Sequence, residues 1–143
     1  MSKQQSGFTL IELVIVIVIL GLLAATALPR FISITTDARI ASVQGVAGGV
    51  RSAASLAKAV VLIKGSSGGN ITMDGVSVAV NASGYPTGGS AGGIVSAMQG
   101  IDGYTPSGTD PTTVFEPTNG GGTNCRATYN ANTGSVAVLS TGC

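Results

Sequence analysis

Residues 8–28 run through 21 positions with a single charge, the carboxylate of Glu12. As an α-helix this stretch would span about 31 Å, the thickness of a bilayer's hydrocarbon core. Three readings compete for it. It could be a cleavable export signal, since Ala25-Thr26-Ala27 places an A-x-A pattern just after an apolar stretch. It could be a simple membrane anchor. Neither reading has a use for Glu12, because a carboxylate in lipid costs roughly 2.5 kcal/mol or more at mid-membrane and is usually paired and functional. Lys3 stands nine residues from Glu12, too far for a contact one turn away on a helix.

The third reading supplies the partner. If the chain is cut between Gly7 and Phe8, Phe8 gains a free α-amine and Glu12 lies four residues further on, on the same helical face. A cation and a carboxylate then share one end of an apolar helix and can neutralise each other within or between chains. The seven residues before the cut, MSKQQSG, are short and polar, carry one lysine and end in a small residue that suits a protease subsite.

These residues carry a resemblance. The run Gly7-Phe8-Thr9-Leu10-Ile11-Glu12, after a short basic leader and before an uninterrupted apolar segment, resembles the class III signal of type IV prepilins. The resemblance implies that a membrane peptidase cleaves after Gly7 on the cytoplasmic side and N-methylates Phe8. It also implies that Glu12 pairs with a neighbouring subunit's N-terminus during assembly. Methylation keeps the amine's charge, so that pairing survives it. The resemblance extends over residues 7–64, and residues 30–41 (RFISITTDARIA) look most like the mannose-sensitive haemagglutinin group. In filaments of this family, the segment between positions matching Gly21 and Pro29 is often melted. For an isolated subunit, the chemistry of the two residues points to a proline kink with a glycine notch.

Beyond residue 29 the helical pattern continues. Val43, Ala47, Val50, Ala54, Ala57 and Val61 recur at three- and four-residue steps, an apolar stripe on one face, with Lys64-Gly65 as the expected end. The composition then shifts: residues 65–143 hold 17 of the 22 glycines and only five charges. Strand signals recur there nonetheless. Asp74-Gly75 divides two apolar runs as a two-residue hairpin turn. Arg126 and Ser135 open segments flanking a second turn at residues 130–134, and residues 90–99 read as a short helical turn with Ile94, Val95 and Met98 inward. The loops at 86–89 and 117–123 are expected to be exposed.

The expected architecture is α+β, the type IV pilin fold, with a long N-terminal helix packed on a small C-terminal antiparallel sheet. Its parts are a leader (1–7), a transmembrane or filament-core helix (8–28), an amphipathic continuation (29–64) and a Gly/Ser/Thr-rich β head (65–143). Two cysteines occur, Cys125 and Cys143. In an exported chain they would form one disulfide, stabilising by roughly 3 kcal/mol in the chain-entropy model; in a reducing compartment they would stay thiols.

Absence of histidine, and of any cysteine–carboxylate cluster in the sequence, argues against a zinc site or a histidine-based catalytic centre, so neither enzymatic activity nor a cofactor is expected. A formal net charge of +1 and a head with four acids against Arg126 alone give no footprint for nucleic acid. Asp102, Asp110 and Glu116 are spaced loop acids that could bind calcium, as the major pseudopilins of type II secretion do. They lack EF-hand spacing and read better as solvated turn residues. Asn70 and Asn81 stand in N-x-[ST] sequences, and Tyr85, Tyr104 and Tyr129 could form a surface but read better as packing.

The resemblance therefore implies a structural subunit of a bacterial type IV pilus, with itself, a prepilin peptidase/N-methyltransferase, the inner-membrane assembly platform and the membrane as partners. It would sit in the inner membrane with its N-terminus in the cytoplasm before assembly, and in an extracellular filament afterwards. The alternatives are a major pseudopilin of a type II secretion system and, in a different class, a Sec-exported soluble binding domain cut after Ala27.

Overall fold

The computed structural model describes residues 7–66 and 68–143, apart from the side chains of residues 32 and 33. Residues 1–6, most of the expected leader with Lys3, lie outside the described residues. The chain divides into two compact units, Met1–Thr36 and Asp37–Cys143.

Helix α1 spans Leu10–Lys64, 55 residues. Within the first unit, every described residue from 7 to 31 is exposed, and even the least exposed large apolar side chain, Val14, keeps 43% of its surface free. Among the described residues, none of this segment is buried. A helix apolar on all sides needs an apolar environment supplied from outside the fold. Helix α1 is continuous through Gly21 and Pro29, although Pro29 leaves the Ala25 carbonyl without its usual donor. At the far end Gly65 adopts φ +69° and donates from its N–H to the Val61 carbonyl at 2.9 Å, a left-handed stop.

The second unit is built on the remainder of α1. Val43, Ala47, Val50, Ala54, Ala57 and Val61 are all buried, each at 5% exposure or less, so the three-and-four stripe is the helix's inner face. That face serves two sheets. Its first part, Val43 to Ala54, packs with Ile94, Phe115, Cys125, Ala127, Tyr129, Ala131 and Val136. Ala57 and Val61 pack with Ile71, Met73, Val78 and Val80. The small alanines bring the sheets close to the helix axis, and each fully buried Val or Phe stabilises by about 1.5–3 kcal/mol.

The head contains two antiparallel sheets, where the sequence suggested one. Strands β1 (Gly69–Met73) and β2 (Val76–Val80) form a hairpin, turning at Asp74 (φ +47°) and Gly75 (φ +79°). Two successive left-handed residues are what a type I′ turn requires. The short helix α2 (Gly93–Ala97) follows, burying Ile94. Strands β3 (Tyr104–Ser107), β4 (Thr112–Pro117), β5 (Arg126–Asn130) and β6 (Ser135–Leu139) then form a meander in chain order. The β3–β4 hairpin has no counterpart in the sequence reading. Its prolines break the strand pattern, yet Pro106 lies on the edge strand β3, where a missing N–H is tolerated.

The segment around residues 86–89 is a correction. Expected on the surface, it is built into the interior: Pro86 is fully buried, and Thr87 donates to Ala79 O and accepts from Ile94 N, both at 2.9 Å. The Gly88 N–H donates to Asp110 Oδ1 at 2.6 Å and Thr113 Oγ1 donates to Gly89 O at 3.0 Å. These bonds satisfy backbone groups that burial would otherwise leave unpaired. Residues 118–120, by contrast, are exposed.

Candidate functional site

The chemistry that sets this chain apart is concentrated in residues 7–12. Gly7, Phe8 and Thr9 precede the helix, and Phe8 is 83% exposed. Glu12 lies in the first turn of α1 and folds back on Thr9. Its Oε2 accepts from the Thr9 N–H at 2.9 Å and from Thr9 Oγ1 at 2.8 Å, while the Glu12 N–H donates to Thr9 Oγ1 at 3.3 Å. This is a reciprocal capping box: Thr9 caps a free N–H of the first turn, and Glu12 satisfies the N–H of the cap residue. A carboxylate here also opposes the positive end of the helix dipole.

Thr9 is the functional residue that the sequence reading missed. Its signal was present, as Thr9-Leu10-Ile11-Glu12 is a T-x-x-E stretch ahead of an apolar run. The capping box gives Glu12 local partners before any α-amine exists at Phe8. It also fixes the helix start at Leu10, which leaves the Gly7–Phe8 peptide outside the helix. The Ala27–Leu28 bond, where an export signal would be cut, lies inside α1, and Thr26 Oγ1 there donates to Leu23 O at 2.9 Å.

The two cysteines are bonded: Cys125 and Cys143 form a disulfide with their Cα atoms 4.7 Å apart. Cys125 is fully buried in the main core, so the bridge ties residue 143 to it. Arg39 of α1 adds a second tie, donating from Nη1 to Cys143 O at 3.3 Å. Arg51 likewise reaches the sheet, donating from Nη2 to Val136 O at 2.9 Å. Lys58 lies 4.5 Å above the Tyr85 ring and donates to Ser83 O.

Most of the remaining candidates are committed to structure, Asp102 and Asn70 excepted. Asp110 accepts from Gly88, Glu116 lies 3.8 Å from Arg126, and Asp102 is exposed in a turn. Among the described residues, no group of three metal-ligating side chains converges. Asn81 donates from Nδ2 to Ala131 O at 2.6 Å and accepts from Tyr85 N at 3.1 Å, which makes it a bracket rather than a free glycan acceptor. Asn70 is exposed. Tyr129 is buried, and its hydroxyl donates to Pro86 O at 2.8 Å. Burial, with smaller contributions from Tyr85 and Asp110, pushes its pKa above the ordinary tyrosine range. Tyr104 shares a 2.8 Å hydrogen bond with Ser42.

Comparison with known proteins places this N-terminal geometry in a class. Residues 2–28 match the family described as the prokaryotic N-terminal methylation motif. The chain is 54% identical over 54 residues to the type IV narrow pilus major component PilA5 of Thermus thermophilus, covering 38% of this chain and 47% of that protein. It is 49% identical over 53 residues to the type IV major pilin protein PilE1 of Neisseria gonorrhoeae, 37% of this chain and 32% of the relative. The type II secretion system core protein G of Pseudomonas aeruginosa is 49% identical over 43 residues, 30% of each chain. The matches span less than half the length of these relatives. No solved structure gives a significant match. The chain thus carries a prokaryotic N-terminal methylation motif, its N-terminal region is similar to those of type IV pilins and of a type II secretion core protein, and its long helix packed on antiparallel sheet is consistent with a pilin fold.

Proposed function

We propose that this chain is a structural subunit, a major pilin, of a bacterial type IV pilus. The observation that carries the reading is the methylation motif itself, set at the start of a helix whose described residues to position 31 are all exposed. The peptidase/N-methyltransferase cuts at Gly7–Phe8 and methylates Phe8. The non-helical Gly7–Thr9 stretch supports this, since a peptidase needs extended backbone. Residues 8–28 hold the subunit in the inner membrane, with the N-terminus cytoplasmic, until the assembly platform passes it to the filament.

Transfer exchanges lipid for neighbouring helices around residues 8–28, so the apolar surface never meets water. The new Phe8 α-amine of one subunit and Glu12 of another form a charge pair in that apolar setting, where isolated charges are costly. Before assembly, Thr9 holds the Glu12 carboxylate. The head, fixed to the second part of α1 and closed by the Cys125–Cys143 bridge, forms the filament surface.

A second reading, a major pseudopilin of type II secretion, is favoured by the match to core protein G. Electron microscopy of the cell surface decides between them, because a pilin builds long external filaments containing this chain. Glu12→Ala should leave leader removal intact and abolish those filaments. Filaments at wild-type abundance in that variant would refute the role given to the carboxylate.

A further inference from the structure

Asn119 is the only one of the six asparagines followed by glycine. It lies in an exposed loop held at both sides: Thr118 N–H donates to Gly103 O at 2.9 Å, and Gly122 N–H donates to Gly142 O at 3.3 Å. Between these anchors, neither the Asn119 carboxamide nor the Gly120 N–H makes a hydrogen bond among the described residues. Asn81, by contrast, has its amide bonded at both ends, and the Asn130 side chain accepts from Asn132 N at 2.9 Å. Gly120 offers no side chain to hinder attack and adopts φ +79°. It is also packed against a cation: a Cβ built on Gly120 would fall 2.7 Å from Arg39 Nη2.

We propose that Asn119–Gly120 is a spontaneous modification site, converting to aspartate and isoaspartate in the folded chain. The Gly120 backbone nitrogen attacks Asn119 Cγ and gives up its proton. The Cγ–Nδ2 bond breaks, and ammonia leaves with a proton, closing a five-membered succinimide. Water then opens either carbonyl of that ring. No oxidant, reductant or enzyme is needed. The Arg39 guanidinium beside Gly120 favours the step electrostatically, because the Gly120 nitrogen develops negative charge as it gives up its proton. The product carboxylate meets the same guanidinium, competing with Cys143 O for it, and so alters the contact that ties the disulfide loop to α1. The head gains a negative charge at one exposed loop in every converted subunit.

The test is peptide mapping of the full chain in detergent, aged at mildly alkaline pH. Conversion at Asn119 should be several-fold faster than at the exposed Asn124 and Asn132, whose following residues are bulkier. It should also slow several-fold in Arg39→Gln and Gly120→Ala. Isoaspartate methyltransferase labelling should map to residue 119. An Asn119 that stays amidated while a free peptide of residues 117–123 converts would overturn the proposal. The product's contact has its own readout: Asn119→Asp should raise the Tm at low salt, and this gain should vanish in the Arg39→Gln background. An equal gain in both backgrounds would show that the carboxylate does not meet Arg39.

Discussion

One helix carries two opposite surface patterns. In residues 10–31 of α1, Leu, Ile and Val point in every direction, and none of them is buried. In the part that begins at Asp37, the buried positions narrow to a stripe of Val and Ala that supports two sheets. The first region finds no apolar cover among the described residues. The second brings its own core. The comparison teaches that the head's stability and the helix's destination are separate properties, open to separate mutation.

The largest expected effect comes from attacking the head alone. Phe115→Ala, at a fully buried position, should cost about 3–5 kcal/mol and unfold most of the head, yet leave membrane insertion and leader removal unchanged. Thermal unfolding of the detergent-solubilised chain, alongside an immunoblot for processing, checks both halves. Removing the bridge with Cys125→Ser and Cys143→Ser should cost about 3 kcal/mol, again in the head only. An unchanged Tm would show that the loop is held without it.

A smaller effect sharpens the comparison from the other side. Thr9→Ala removes the cap and should weaken the start of α1 by about 1 kcal/mol, visible as faster amide exchange at Glu12, whose N–H donates to the Thr9 hydroxyl, while the head's Tm stays fixed. Thr9→Ser should restore the protection. The smallest effect is on the pH profile. The folded state holds the Tyr129 phenol protonated above the tyrosine range, so its contribution is complete below the unfolded pKa of about 10 and fades as pH rises past it. Tyr129→Phe should flatten that alkaline loss while lowering stability at neutral pH through the missing bond to Pro86. An alkaline limb that does not change would assign the loss elsewhere.

Much of this was legible because periodic burial leaves a periodic trace. The Val43-to-Val61 stripe could be read from spacing alone, and Asp74-Gly75 from turn chemistry, since few residues tolerate two left-handed positions in succession. The β3–β4 hairpin was not, as Pro106, Pro111 and Pro117 look like breakers until one knows which strand forms an edge. The buried turn at Pro86 was hidden because its partners, Asp110 and Tyr129, are distant in sequence. At the N-terminus, the cost of a carboxylate in lipid drew attention to Glu12 and away from Thr9, although the two form one motif. A charge that looks expensive for the membrane is also an ordinary helix cap.

The central claim is that the apolar helix is delivered with a new terminus at Phe8. Mass spectrometry and N-terminal sequencing of the chain from surface filaments test it most directly. The account predicts a first residue of N-methylated Phe8 with residues 1–7 absent. A chain beginning at Leu28, or one that keeps its leader in the filament, would contradict it.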